Sequence, residues 1–232
     1  MSIRTCIQTI TPRPLQLQLQ PFLKVSSPIH KRLISQSPIS MAPRISDAIK
    51  EDHREIEDYH NKILSATTDK EKTQWQNQFV WELARHSIGE ELVVYPQFEK
   101  QLPDGRAMAD KDRSEHNQVK EKLKKFQNLT PTDPDFEITL KSIWDPLGQH
   151  IAEEEKDDLP KLEEALSTSD SEKLSKSFGR TKMFVPSRSH PSAPDKPPFE
   201  TAVGLMAAPI DHLADLFRSW PHTKGMPNPS TK

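Results

Sequence analysis

Six side chains able to ligate a metal recur at helical spacing through the middle of this chain. Four are histidines, His53, His86, His116 and His150, each set among apolar residues spaced three or four apart. Two are glutamates, Glu90 and Glu154, each four residues after a histidine. Residues four apart share a helix face, so His86 projects with Glu90 and His150 with Glu154. Turning four imidazoles and two carboxylates inward costs several kcal/mol for each group left without a partner. A shared metal resolves that cost. The single cysteine, Cys6, excludes a thiolate-built site, and imidazole with carboxylate suits iron, manganese or zinc. Two carboxylates placed to bridge point to a dinuclear site.

The elements that must position these groups read as four amphipathic helices over residues 46–167. The first begins at Ser46 or Asp47 and carries the seam Ile49, His53, Ile56, His60, Ile63, the 4-3-4-3 stepping of a bundle face. The second opens with a capping box, Thr68 with Glu71. It presents Trp75, Phe79, Leu83, His86, Glu90, Val93 and Phe98, and ends before Pro103 and Gly105. The third runs from about Ala107 to Asn128, with Met108, Asp112, His116, Val119, Leu123 and Phe126 inward. The fourth starts at Asp133–Pro134, a cap followed by proline at the first helical position, and its seam is Phe136, Leu140, Ile143, Leu147, His150, Glu154. Pro146 lies inside it and predicts a kink or break one turn before His150. Short connections between such helices favour an all-α fold, an up-down-up-down antiparallel four-helix bundle.

The stretches DHREIEDYH, ELARHSIGEELVVYPQFE, DRSEHNQVKEKLKKF and HIAEEEKDDLPKLE resemble the hemerythrin-like, or HHE cation-binding, domain over about residues 46–165. The proline-rich stretch from Ser187 to Phe217 is similar to the tails of fungal members. The resemblance implies a non-haem di-iron centre. Carried over by position, it makes His53 and His86 ligands of one iron, His116 and His150 ligands of the other, and Glu90 and Glu154 the bridges. One departure stands out. Oxygen-carrying members have a second histidine four residues after the first in the third helix, and this chain has Lys120 there. An ammonium has no lone pair to give, so one iron is short of a ligand. Glu57, Asp112 and His60 are the candidate replacements. Lys120 itself either donates a hydrogen bond to a bound anion or snorkels to the surface.

Charge narrows the function classes. Residues 1–46 carry 6 basic and no acidic groups, and residues 47–167 carry 17 basic and 28 acidic, a net of −11. The acidic middle disfavours nucleic acid as a partner. No run of about 18 apolar residues is present, which excludes a transmembrane helix on sequence grounds. Residues 1–45, basic, rich in Ser and Gln and free of acid, have the composition of a mitochondrial transit peptide or a disordered tail. Met41 offers an internal start for a cytoplasmic form. Residues 168–232 read as a Pro-rich tail with short helices: Ser169 with Glu172 caps one that stops at Gly179, and another begins at Pro209. The expected function is binding of a small diatomic ligand, oxygen or nitric oxide, or sensing of redox or iron state. Peroxide chemistry as a di-iron peroxidase or oxidase in oxidative stress defence is the alternative, and a metal-free structural bundle is the third reading. No pocket with its own nucleophile or base is legible, so an enzyme is the secondary reading.

Overall fold

A computed structural model describes residues 42–193, 199–222 and 226–229, with the helical path alone given for 199–205. The expected address segment lies outside the described residues up to residue 41. Every regular element described is helical: α1 (Ile45–Ser65), α2 (Asp69–Gly89), α3 (Tyr95–Gln101), α4 (Gly105–Phe126), α5 (Phe136–Glu153), α6 (Leu159–Ala165), α7 (Thr168–Lys182) and α8 (Phe199–Asp215). One π-helical turn, Glu90–Val94, joins α2 to α3, and a second, Glu154–Asp158, joins α5 to α6.

Local chemistry sets the ends. Thr68 Oγ1 accepts from the Glu71 N–H at 3.2 Å, the cap expected for α2. Two starts differ from expectation by one to three residues. Arg44 is the N-cap of α1, and Asp47 sits at the third helical position, where its carboxylate accepts the Arg44 N–H at 3.0 Å. Asp133 folds back into a turn, accepting from the Thr130 N–H at 2.6 Å, so α5 starts only at Phe136. Nor does Pro146 break α5. The Ser142 carbonyl, which a proline at position 146 cannot serve, instead accepts from Lys122 Nζ at 3.0 Å.

Burial divides the interior into two apolar clusters with a polar layer between them. The first joins Ile56, Tyr59 and Ile63 of α1, Phe79 and Leu83 of α2, Val119, Leu123 and Phe126 of α4, and Leu140, Ile143 and Leu147 of α5. The second joins Ile45 and Ile49 of α1, Val93, Tyr95 and Phe98 around the first π-turn, Ala109 of α4, Leu159 and Leu162 of α6, and Phe178 of α7. Along α1 and α4 the chain passes from the second cluster to the first. Along α2–α3 and α5–α6 it passes from the first to the second. In all four segments the expected ligands fall between.

The link from α3 to α4 depends on a glycine. A Cβ on Gly105 would stand 1.7 Å from the Phe98 carbonyl oxygen and 2.3 Å from its carbon, so the backbone itself must move to admit one. Gly105→Ala is therefore expected to cost roughly 3 kcal/mol, the upper end for forced overpacking, read as a lowered urea midpoint at unchanged slope.

The C-terminal region differs most from expectation. Helix α7 is capped by Ser167, whose Oγ accepts the Asp170 N–H at 3.1 Å, and it runs through Gly179 to Lys182. Gly179 makes no turn because Phe178 and Lys182 on either side are both buried. Helix α8 starts at Phe199, so Pro209 lies inside it. Beyond it, Trp220 packs edge-on to Trp81 at 6.3 Å, and its carbonyl accepts from Gln74. Met206, Ile210 and Leu213 of α8 are exposed, as are Leu216 and Phe217 just after it. The side chains of Val203 and Leu205 lie outside the description.

Candidate metal centre

The polar layer gathers all six residues singled out by spacing. His53, His86 and Glu90 present donor atoms within 4.8 Å of one another, and so do Glu90, His116 and His150. Glu90 belongs to both sets. Its Oε2 lies 3.3 Å from His86 Nε2 and 3.4 Å from His116 Nε2. Glu154 faces the first set, with Oε2 3.3 Å from His53 Nε2. The imidazoles pair edge to face, His53 with His86 at 4.9 Å and His116 with His150 at 4.8 Å between centroids.

Behind each histidine stands a carboxylate that spacing did not single out. Asp52 meets His86 Nδ1 at 3.2 Å, Glu91 meets His116 Nδ1 at 3.3 Å, Glu115 meets His150 Nδ1 at 2.9 Å, and Glu155 meets His53 Nδ1 at 2.9 Å. These four contacts close a ring. Asp52 of α1 holds the histidine of α2, and Glu91 after α2 holds that of α4. Glu115 of α4 holds the histidine of α5, and Glu155 after α5 returns to α1. Each carboxylate in turn meets a cation: Lys182, Lys120, Lys111 and Arg54 pair with Asp52, Glu91, Glu115 and Glu155 respectively. A carboxylate on Nδ1 fixes the tautomer that leaves the Nε2 lone pair for a metal and makes it more basic.

The inner face has no comparable partners. His53 Nε2 and both carboxylate oxygens of Glu90, Glu154 and Asp112 are buried without a hydrogen bond. His116 Nε2 and His150 Nε2 face each other at 3.2 Å while both Nδ1 atoms are engaged with carboxylates. Burial, with repulsion from Glu154, pushes the Glu90 carboxyl well above the usual range. Burial alone would raise Glu154 too, but His53, 3.3 Å away, holds it at about 2. His53 is carried up to about 9 because Glu154 and Glu155 outweigh its desolvation. Burial drives His86 well below its usual value, and the charges of His53 and Lys182 add to it. Six buried carboxylate oxygens and His53 Nε2 without a hydrogen bond, beside the Nε2 atoms of His86, His116 and His150, form the donor set that cations of the iron, manganese and zinc type take up.

The structure separates the candidates for the short side. Asp112 is wholly buried, one turn before His116, and groups with Glu115 and His150. Burial, with Glu154 adding to it and His150 opposing, pushes its carboxyl to about 7. His60 stacks on Trp144 at 4.1 Å and bonds Asn61, away from the polar layer. Glu57 is half-exposed and pairs with Arg54. Lys120 neither reaches an open position nor snorkels, because its ammonium turns to Glu91. Two tail histidines stay outside the layer: His190 bonds Asp211 and His212 bonds the Val185 carbonyl.

Both π-turns open on a central glutamate. The Tyr95 N–H reaches back five residues to the Glu90 carbonyl, and the Leu159 N–H does the same to Glu154. The next residue in each case is a proline, Pro96 or Pro160, whose ring cannot fit over a carbonyl four residues back. The widened turn accommodates it, and such turns concentrate at functional sites. The first also brings the Tyr95 hydroxyl to 3.1 Å from His116 Nε2. On the outer side, a cleft of about 450 Å³ bordered by Arg54, Trp144, Gly148 and Lys156 has the buried His53 in its wall.

Comparison with known proteins agrees with this geometry. The family model for the hemerythrin HHE cation binding domain matches residues 44–162. An uncharacterized hemerythrin-like protein of Schizosaccharomyces pombe is 55 % identical over 179 residues, covering 77 % of this chain and 88 % of that one. A DNA nickase of Nostoc is 22 % identical over 144 residues, covering 62 % of this chain and 40 % of that one. No solved structure matches. With the histidine–glutamate layer lying wholly inside the matched segment, the chain belongs to the hemerythrin HHE cation-binding domain family.

Proposed function

We propose that the protein holds two non-haem iron ions and uses them to bind dioxygen or nitric oxide, or to sense redox or iron state. The observation that carries this reading is the place of Glu90 in both histidine donor sets. A single carboxylate between two imidazole pairs is the minimum needed to bridge two ions. His53, His86, Glu90, His116, His150 and Glu154 are the proposed ligands, and Asp112 takes the place left by the absent histidine. The housing we propose is an up-down-up-down antiparallel four-helix bundle, supported by the alternating order of the two apolar clusters along α1, α2–α3, α4 and α5–α6. Iron supplies reversible one-electron change and affinity for small diatomic ligands, and manganese or zinc suits the same donors. The chain's own part is to orient the imidazoles through the Nδ1 carboxylates and to admit small molecules by the cleft beside His53.

The buried Tyr95 hydroxyl favours a second reading, a di-iron peroxidase, because it sets a proton donor and an oxidisable ring at the centre. One experiment separates the two. The full chain is loaded with iron, reduced, and exposed first to air or nitric oxide and then to peroxide. About two irons per chain and a charge-transfer band that changes with the gas, without peroxide turnover, are expected. Steady peroxide consumption gives the second reading, and a folded chain that takes up no iron defeats both. We further propose that nucleic acid is not a partner, on the acidity of residues 47–167. We also propose that residues 1–45 address the protein to mitochondria, with a start at Met41 giving a cytoplasmic form. Localisation of a fluorescent fusion with and without residues 1–40 tests the address.

A further inference from the structure

We propose that Lys182, at the end of α7 beyond the family-matched segment, is a positioning residue for the metal site on the His86 side. The inference rests on the di-iron reading and names what controls one half of that centre.

Lys182 is buried at 8 % exposure, rare for a lysine. Its ammonium pairs with Asp52 and with Glu82, and both bonds are internal to the fold. Asp52 is the carboxylate that meets His86 Nδ1, so the chain of contacts runs Lys182 to Asp52 to His86 to the shared donor set. Three features show that the approach is built. A Cβ on Gly89 would stand 2.8 Å from the Phe178 ring, so glycine there lets α7 lie close. Phe178 meets the His86 ring edge-on at 6.1 Å. The Lys182 carbonyl accepts from Arg85 Nε at 2.8 Å, which ties the end of α7 to the residue before His86.

The four cations behind the ring of carboxylates are not equivalent. Arg54 and Lys111 are exposed, at 56 % and 49 % of their side chains, and water can replace them. Lys120 and Lys182 are largely buried. Lys182 differs again in coming from α7, whereas Arg54, Lys111 and Lys120 lie on α1 and α4. Asp52, Glu55 and Glu82 form an acidic group that offers three oxygens close together. The ammonium lies against Asp52 and Glu82. It fixes the Asp52 carboxylate and aims it at His86 Nδ1, which holds the His86 tautomer with its Nε2 lone pair inward. Without it, the Asp52 and Glu82 carboxylates lose the cation between them, and Asp52 turns away from His86. Seating of α7 thereby sets the affinity of one ion of the pair.

The test compares the full chain with Lys182→Met and Lys182→Arg. Loaded with iron and challenged with a ferrous chelator, Lys182→Met is expected to release one of its two irons about ten-fold faster, the lower end for loss of an outer-sphere partner. The second iron keeps its rate, and Lys182→Arg restores the first. With zinc in place of iron, nitrogen–proton NMR reads the tautomers directly. The His86 Nδ1–H signal is expected to vanish or shift in Lys182→Met while those of His53, His116 and His150 remain. If Lys182→Met fails to fold, Lys182→Met/Glu82→Gln removes the buried repulsion and is expected to show the same two changes. Unchanged release and an unchanged His86 signal beside a metal-loaded parent would overturn this inference alone. So would equal acceleration of both irons with loss of helicity, which marks a purely structural role. A parent chain that binds neither iron nor zinc overturns the di-iron reading and this inference with it.

Discussion

Glu90→Gln is expected to strip the protein of both irons and at the same time to make the metal-free chain more stable. The two effects come from one residue. Glu90 is fully buried, neither carboxylate oxygen has a hydrogen bond, and it stands in both donor sets. With ions present, its negative charge serves both donor sets, and an amide oxygen is a far weaker ligand. Affinity should fall by at least two orders of magnitude for each ion, given that outer-sphere losses alone reach 10–100-fold. Without ions the same charge is a liability. Burial and Glu154 push the Glu90 carboxyl well above the usual carboxylate range, so the metal-free fold disfavours the charge. Glutamine has the same shape and no charge to neutralise. A gain of about 1 kcal/mol is expected, since replacing a strained buried charge by a neutral isostere is often stabilising. That corresponds to a melting temperature higher by about 2–4 °C for a fold of this size. Metal analysis and calorimetry on the variant and its parent, each with and without chelator, read both arms. A destabilised metal-free variant would mean that Glu90 is held by contacts of structural importance, and would count against the centre.

The six residues of the candidate centre were legible in the sequence because ligation and helix geometry use the same interval. A histidine among isoleucines at steps of three and four has to face the interior, and a glutamate four residues on has to face it too. The Nδ1 carboxylates were not legible by that route. Asp52, Glu91, Glu115 and Glu155 each adjoin a proposed ligand in sequence, and a neighbour is turned about 100° away from the seam. Read on its own helix, each is an acid on a flank. Only the packing of the next helix brings each of them to a histidine that is not its own neighbour. A signal was nonetheless present: each cluster is a doublet, Asp52–His53, Glu90–Glu91, Glu115–His116 and Glu154–Glu155. The π-turns had a signal as well. His86 through Pro96 and His150 through Pro160 share one spacing: histidine, three residues, two glutamates, four residues, proline. A period of 3.6 does not register the extra residue that such a turn inserts. The course of α7 was missed for a different reason. Gly179 is a stop signal by propensity, at about 1 kcal/mol against alanine, and burial of Phe178 and Lys182 on either side outweighs it.

Iron loading is expected to raise the melting temperature by more than about 15 °C. The polar layer is the weak section of this interior. It separates two apolar clusters and contributes six proposed ligands and Asp112 where a simple helical interior would place leucine or isoleucine. In the metal-free state Glu90 and Glu154 have imidazoles and protons for counter-charge, and their opposite displacements show how poorly these serve. An unfolded chain has no such convergent donor set, so ions bind almost solely to the folded form. At free iron about 1,000 times the dissociation constant, each site then adds about 4 kcal/mol. At about 2–4 °C per kcal/mol, two sites exceed 15 °C, and chelation reverses the gain. Glu90→Gln should lose this shift almost completely, and Lys182→Met should lose the part that belongs to one site. A melting temperature unmoved by iron in a fully helical protein would leave the layer to its protons and remove the di-iron function. The histidine–carboxylate ring would then have to be explained as architecture, against the desolvation cost of every group in it.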